Sequence, residues 1–553
     1  MVTIGTRDTV TVSPTGSELV VHRRQTTLLN HSLTPQEAMI ADLLFVRAAL
    51  VAGGIRFLLV RSNDDRPIIT IDVAQRSQAL AAVETSSIGE PLYAKPVGTR
   101  AKPNIGSKPM GKKKAVKAPA KRSSRSASLI SDGAFSKAPD ADAFVLFRPR
   151  IEPTGALRFG AASGVRVEFW TYSLTSIVAP RENALTRRNI VREDVVETSI
   201  ERYGATWRTI EGMFDRMPGD IAFPIDMVFS WVDGADLEFQ RARANRMKGY
   251  VVGEGDDHEA RFRQLDELRY ALRSVYLFAP WVRRIFIVTD SPRPLWLDEH
   301  PSVTIMRSEE FFDDVSVLPT HNSQAVESQL HHIPGLAEHF LYSNDDMFFG
   351  RPVTPDMFFT PGGVSKFVEA STRIGLGATA VERSGFENAA RVNRALLHEH
   401  YGVTITRHLE HCAAPLRVSV LTELNREFPA DFSRTAASAF RARTDISVTN
   451  SLYHYFALHT GRAVVQTKAR VKYVDTTLLV GLQDMDKLLR SRSQDMFCLN
   501  DGSFPEISSE VRADAVRSFL DRYFAIAAPW EVRDSAMVTP SRSKIAAVSS
   551  AVV

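Results

Sequence analysis

The chain has 553 residues, 44% hydrophobic and 24% charged, with two cysteines and a net charge of +4. That length exceeds one hydrophobic core, so two or more domains are expected, and the ordinary composition excludes a wholly disordered or fibrous protein. Cys412 and Cys498, neither in a CxxC motif, exclude a disulfide framework, argue against a thiolate metal site and make reducing cytoplasm the default compartment.

The opening residues MVTIGTRDTVTVSP lack the basic and apolar regions of a secretory signal. No apolar run approaches the roughly 20 residues needed to span a bilayer. Residues 1–34 read as a flexible terminus. Residues 35–50 (PQEAMIADLLFVRAAL) keep a helical period, with Pro35 in the first turn after Thr34. IRFLLVR at 55–61 and PIITIDV at 67–73 read as strands, 75–85 as a helix and VEFWTY at 167–172 as another strand. Together they predict a smaller α/β domain over 35–210.

That domain is interrupted at 97–130 by a Lys-, Ala-, Pro- and Ser-rich insertion, predicted to be disordered because it cannot bury enough apolar surface. Between Glu90 and Asp132 stand eleven Lys or Arg and no acid; setting them aside turns the net charge of +4 into −7 for the remainder. A basic tract of this kind is a solvated insertion, a nucleic-acid contact or an attachment to anionic lipid. No aromatic residues interleave to stack on bases, so no obligate nucleic-acid partner is expected. Peripheral association with the inner face of the membrane through 97–130 is left open, the protein otherwise being cytoplasmic.

A larger domain spans 222–530, followed by a flexible tail at 531–553. PIDMVFSWVDG (224–234) is an apolar strand ending in Asp and Gly. In 261–290, Leu265, Leu268, Leu272 and Val275 mark one face of a helix that Pro280 ends, and Arg284 to Thr289 is the next strand, closed by Asp290. SVTIM (302–306) is a further strand. Ser323 is placed as the N-cap of a helix carrying Val326 and Leu330. Phe340-Leu341-Tyr342 marks a buried strand that stops at Asn344-Asp345-Asp346, with Gly350 and Pro352 breaking the chain beyond. Strands alternating with helices predict a mainly parallel, doubly wound sheet.

Acids recur at the exits of these strands: Asp233 beside Gly234, Asp290, and the pair Asp345-Asp346. In a parallel sheet the carboxyl ends of the strands are where ligands bind. Two adjacent carboxylates there are costly unless something positive is held. A divalent cation carrying a diphosphate answers that cost, because Mg²⁺ favours one or two carboxylates plus phosphate oxygens. Gly234 allows close approach of a ligand to the backbone. Trp231 is either a nucleobase contact or a core residue. Glu327 and, four residues on, His331 are placed on one helix face. Residues 407–450 hold His408, His411, Arg417, Arg441, Arg443 and Asp445; phosphoryl transfer needs such cations, and a base for the acceptor proton. FCLNDGSFPE (497–506) repeats the acidic exit at Asn500-Asp501.

These motifs resemble the stealth family of hexose-1-phosphate transferases, defined by four conserved regions. IDMVFSWVDGAD is similar to the first. The stretch from RFRQLDELRYALRSVYLFAPWVRRIFIVTD to THNSQAVESQLHHIPGLAEHFLYSNDDMFFGRPV is similar to the second, EHCAAPLRVSVLTELNREFPADF to the third and FCLNDGSFPE to the fourth. The third departs from the family's His-x-Pro pattern, since His411 is followed by Cys412-Ala413-Ala414-Pro415. The resemblance implies catalytic roles for Glu327, Asp346, His411 and Arg441. It implies substrate contacts at Asp226, Trp231, Asp233, Gly234, Asn500 and Asp501, with Mg²⁺ or Mn²⁺ held by Asp346, Asp345 and Asp233. The expected reaction moves a hexose-1-phosphate from a UDP-sugar donor to a hydroxyl of a polysaccharide acceptor, with His411 and Glu327 both open as the base. The alternatives are a conventional metal-dependent glycosyltransferase releasing UDP, and a non-catalytic scaffold that binds nucleic acid or membrane.

Overall fold

Five short apolar runs set the frame of the larger domain. They pair in the order Val303–Met306, Ile285–Val288, Ile225–Ser230, His339–Asn344, Ala414–Arg417. The first four are parallel and the last is antiparallel to its neighbour. The computed structural model describes residues 10–64, 66–98, 126–234, 240, 241, 243, 265–502 and 505–532.

The strands read as unbroken apolar runs because both faces of the sheet are covered. Side chains alternate between faces. Met227, Phe229, Ile285 and Ile287 join one core with the helices Glu267–Phe278 and Ser509–Tyr523. Val228, Phe286, Val288 and Phe340 join the other with the helices Val418–Glu427 and Tyr453–His459. Removing one fully buried ring such as Phe340 would cost about 3–5 kcal/mol.

In chain order the strands run third, second, first, fourth, fifth. The order reverses between Ile225–Ser230 and His339–Asn344, which places a crevice outside their carboxyl ends. Ser230 and Asn344 are register partners at that edge. Past Asn344 the chain turns through Asp345-Asp346 and enters a different sheet. Met347–Phe349 pairs with Met496–Asn500, which pairs in parallel with Val471–Asp475.

The smaller N-terminal domain is α/β with a largely antiparallel sheet. Thr34 and Glu37 form a reciprocal capping box at the start of the helix Pro35–Ala52. Val165–Tyr172 pairs in parallel with Pro67–Asp72 and antiparallel with Ala143–Phe147. Residues 10–34, expected to be flexible, instead carry a hairpin, Glu18–His22 with Gln25–Leu29, that buries Val20 and Leu28. Residues 99–125 of the basic insertion expected at 97–130 lie outside the described residues. The sheet resumes within its expected final residues, where Ser128–Leu129 pairs with Tyr93 and Ala94 and Ile130 is buried. Of the tail expected to be flexible at 531–553, Glu531 is instead buried and paired with Arg273, and the residues beyond Val532 lie outside the described residues. Leu157 and Phe159 join the core of the larger domain, and Arg492 Nη2 donates to the Ala156 carbonyl at 3.3 Å. No helix among the described residues is long and apolar enough to cross a membrane.

Asp226 corrects one expectation. It stands at the beginning of its strand, at the opposite end from Asp233, and is fully buried. Its carboxylate accepts both Arg283 Nε at 2.8 Å and Nη2 at 2.6 Å, and the Ala337 amide at 2.8 Å. It ties two strands and a loop together and does not face the crevice. Asp226→Ala is therefore expected to cost about 3–5 kcal/mol of folding stability, read as a lower urea midpoint. A wild-type midpoint would return Asp226 to the list of substrate contacts.

Candidate active site

The Asp345-Asp346 turn is fixed from both sides. Before it, the His339–Asn344 strand belongs to the large sheet; after it, the Leu499 amide donates to the Asp346 carbonyl at 2.9 Å. The Phe349 amide donates to Ser274 Oγ at 3.1 Å, which ties the turn to the Glu267–Phe278 helix. That helix is anchored in turn by Arg273, which donates to both Glu531 oxygens at 2.6 and 2.7 Å.

Asp345 and Asp346 are half-buried. Cys498 Sγ donates to Asp346 Oδ2 at 3.3 Å. Asp346 Oδ1 is buried and has no hydrogen-bond partner. Burial raises the Asp346 carboxyl to about 6, Asp501 adding to the rise and the Cys498 bond opposing it. Asp345 is held well above the usual carboxylate range by burial, then by Asp346 and Glu267. Glu267, itself buried, is pushed up to about 7 by burial, with Asp501 raising it further and Arg512 opposing. Four acids thus influence one another around this turn. Asp501 also accepts from Thr476 Oγ1 at 2.9 Å and pairs with Arg512. Its neighbour Asn500 donates to Tyr473 OH at 2.7 Å.

A second group adjoins the first through Tyr342. Tyr342 OH lies 3.5 Å from Glu327 Oε1 and 3.2 Å from Asn344 Oδ1. Glu327 is 2% exposed and accepts from Thr449 Oγ1 at 2.6 Å, Thr449 lying in a π-helical turn. Burial raises the Glu327 carboxyl; Thr449 and the Arg441 guanidinium oppose that rise. Arg441 Nη2 donates to Ser323 Oγ at 2.8 Å. Ser323 is free for this because the helix Ser323–Glu327 is capped by Asn322, not by Ser323 as the spacing predicts. Asp445 holds the Arg441 loop, accepting from the Ala442 amide, Ser438 Oγ and Asn322 Nδ2 at 2.7–2.8 Å. Gly385 leaves room for the arginine, since a Cβ there would fall 2.7 Å from Arg441 Cβ.

His411 closes the ring. Its imidazole lies between Phe386 (6.3 Å between centroids), which follows Gly385, and Tyr473 (5.3 Å), which accepts from Asn500. His408 stacks on the same Phe386 at 4.7 Å. Burial, then His408, lowers the basicity of His411, so the ring is neutral near pH 7. Contacts therefore link Arg441, Gly385 and Phe386 to His411, Tyr473 and Asn500, and link Glu327 through Tyr342 to the acidic turn.

Several expectations need correction. His331 does not share a face with Glu327: the helix ends at Glu327, and His331 sits in a following 3-10 turn, bonded to Asn425 and packed near Phe432. Trp231 is 6% exposed and belongs to the core, so it offers no face to a nucleobase. Asp290 caps a turn, accepting from the Ser308 amide and hydroxyl. Arg417 pairs with Glu338 at the opposite end of the sheet. Asp233 follows the first strand, with Gly234 buried beside it, and its amide donates to Ser291 Oγ at 2.8 Å, just past the second strand. Among the described residues no three His, Cys, Asp or Glu side chains converge as a metal cage. Asp233 therefore does not complete a protein-only site with Asp345 and Asp346. Asp346, through its unpartnered Oδ1, and Asp345 fit a cation of the Mg²⁺ type, which takes one or two carboxylates and fills its shell from phosphate and water.

Glu267, Cys498, Tyr342, Thr449 and Tyr473 were not legible as site residues. Tyr342 alternates in step with Asn344 along its strand, which is the one local signal. The others meet the turn only through tertiary packing.

Four family models match the chain in order. They are Stealth protein CR1, conserved region 1, at residues 223–251; CR2, conserved region 2, at 261–367; CR3, conserved region 3, at 410–458; and CR4, conserved region 4, at 486–537. The exopolysaccharide phosphotransferase CpsY of Mycobacterium tuberculosis is 54% identical over 513 residues, covering 93% of this chain and 92% of that protein. An exopolysaccharide phosphotransferase of Nocardia farcinica is 51% identical over 500 residues, covering 90% and 88%. The exopolysaccharide phosphotransferase SCO6023 of Streptomyces coelicolor is 34% identical over 533 residues, covering 94% and 86%. A crystal structure of the galactosyltransferase LgtC with donor and acceptor sugar analogues matches 54% of this chain and 96% of that one, at 12% identity and a TM-score of 0.28, too low to bear on the fold.

The raised carboxyls make a stability prediction with a definite sign. A carboxyl that holds its proton more tightly in the folded state contributes stability that is complete below its unfolded value, about 4. That contribution is lost as pH rises through the folded value, about 6 for Asp346 and about 7 for Glu267. Metal-free protein should therefore lose thermal stability between about pH 4 and about pH 7, and Asp346→Asn should lose less over that window. Circular dichroism melts across pH measure both; superimposable profiles would remove Asp346 from the acidic cluster.

Proposed function

The chain belongs to the Stealth protein family and is a phosphotransferase; we propose that it moves a hexose-1-phosphate from a UDP-sugar to a hydroxyl of a polysaccharide. The observation that supports this reading is the chain of contacts that links three groups. These are the acidic turn with its unpartnered Asp346 oxygen, the Arg441 and Glu327 group, and a neutral His411.

The acceptor hydroxyl attacks the sugar-proximal phosphorus of the donor. The new bond is P–O to the acceptor; the bond that breaks is the P–O bond to the uridine phosphate, and UMP leaves. His411 takes the proton from the attacking hydroxyl. It is half-buried, neutral near pH 7 and held by Phe386 and Tyr473. Glu327 is the poorer base. It is buried, already accepts from Thr449, and lies under the electrostatic influence of Arg441. Its role is to orient that guanidinium toward the equatorial oxygens, where charge is stabilised in phosphoryl transfer.

Asp346 and Asp345 would hold Mg²⁺ or Mn²⁺, which when bound would neutralise charge on the diphosphate. Asp233 and Gly234, across the crevice on the first strand, contact the donor. Asn500 and Asp501 act from the other wall, Asn500 through Tyr473 and Asp501 through Arg512 and the electrostatics of Asp346. The chemistry needs no spanning segment, and cytoplasmic action, with or without contact of 97–130 with anionic lipid, is part of the same proposal.

Purified enzyme given a panel of UDP-sugars, Mg²⁺ or Mn²⁺ and a polysaccharide acceptor should release UMP, read by chromatography. Release of UDP would replace the reading with ordinary glycosyl transfer. Transfer undetectable with every donor, beside binding of nucleic acid or lipid that deleting 97–130 abolishes, would favour a scaffold. Asp346→Asn should fold and lose activity. Arg441→Ala should lower turnover by about 100- to 1000-fold. His411→Ala should lose the limb in which wild-type turnover falls as pH drops and the imidazole protonates; retention of that limb would move the base elsewhere.

A further inference from the structure

The thiol that touches the acidic turn has no part in the chemistry above. Cys498 is fully buried in the Met496–Asn500 strand and is the register partner of Met347, the residue after Asp346. The backbone pairing continues one step on, where the Leu499 amide donates to the Asp346 carbonyl at 2.9 Å. The strand thus grips Asp346 by its main chain and presents Sγ to its side chain. Sγ donates to Oδ2 at 3.3 Å, while Oδ1 of the same carboxylate is buried and receives no hydrogen bond. One oxygen of the carboxylate is spoken for by the protein and the other is left over.

We infer that Cys498 is a positioning residue for Asp346: its S–H fixes the carboxylate rotamer through Oδ2, so that Oδ1 faces the cation. The inference rests on the proposal that Asp346 holds a divalent cation. It goes beyond it by assigning the orientation of that ligand to the thiol. Partners of this kind in the outer shell of a metal site orient the ligating groups, and losing one typically costs about 10- to 100-fold in affinity. A thiol suits the position because it is a weak donor. It orients the carboxylate without competing strongly for its charge, and it packs as a small hydrophobe in a dry setting.

The test uses the full-length protein and Mn²⁺ alone as the probe, with bound and free Mn²⁺ distinguished by electron paramagnetic resonance. Cys498→Ala and Cys498→Val both delete the donor while changing volume in different ways, and Cys498→Ser restores a donor. Each is first checked for wild-type circular dichroism. In whichever apolar variant folds, the Mn²⁺ dissociation constant should rise about 10- to 100-fold. The serine variant should recover most of that loss. At saturating Mn²⁺ the turnover of the apolar variant should approach the wild-type value, since the cation once bound holds Asp346 in place. An apolar variant that binds Mn²⁺ as the wild type does, or a serine variant as weak as alanine, overturns the positioning role. If the wild type binds Mn²⁺ and Asp346→Asn does not, failure falls on Cys498 alone. If the wild type binds no Mn²⁺, the metal-site reading falls and this inference with it.

Discussion

Two neighbouring carboxylates in a half-buried turn repel one another and lose hydration, and no Lys or Arg side chain among the described residues pairs with either. That unfavourable placement is the constraint around which the larger domain is organised. Burial holds both acids above their ordinary titration range, Asp346 adding to the rise at Asp345 and Asp501 to the rise at Asp346, so their ionised forms are costly until a positive charge arrives. A structure that only needed a turn would use the same residues pointing into water. This one adds Glu267 and Asp501 close enough to raise the cost further.

The surrounding architecture keeps that arrangement from relaxing. The reversal of strand order opens the crevice at the carboxyl ends of the first and fourth strands. Asp445 and Asn322 shape the loop that carries Arg441, and Ser323 receives its guanidinium. Phe386 and Tyr473 confine the His411 ring. Each reacting group is thereby held by residues that do not react, which is what preorganisation of a charge-stabilising site requires.

Much of this was legible in the chain itself. The apolar runs read at 224–234, 284–289 and 340–342 marked buried strands, observed at 225–230, 285–288 and 339–344, and their acidic exits marked the crevice edge. Thr34 and Pro35 announced the first helix. What stayed hidden depended on pairing and packing. Asp226 and Asp233 sit in one motif, yet only the strand direction shows that they occupy opposite ends of the sheet. Glu327 and His331 fit a helical period, but the helix stops between them. Glu267 reads as an ordinary acid in a first helical turn, where the helix dipole favours one, and nothing local shows that it is buried behind Asp345. Cys498 reads as a core residue, and it is one.

The passage from one sheet to the next through only Asp345-Asp346 has an evolutionary corollary. A single inserted or deleted residue there would invert the pleat of Met347–Phe349, all three of which are buried, and so exchange the sides on which Phe348 and Phe349 pack. Sequence drift at this junction is thereby confined to exchange of side chains, while changes of length must accumulate elsewhere in the polypeptide.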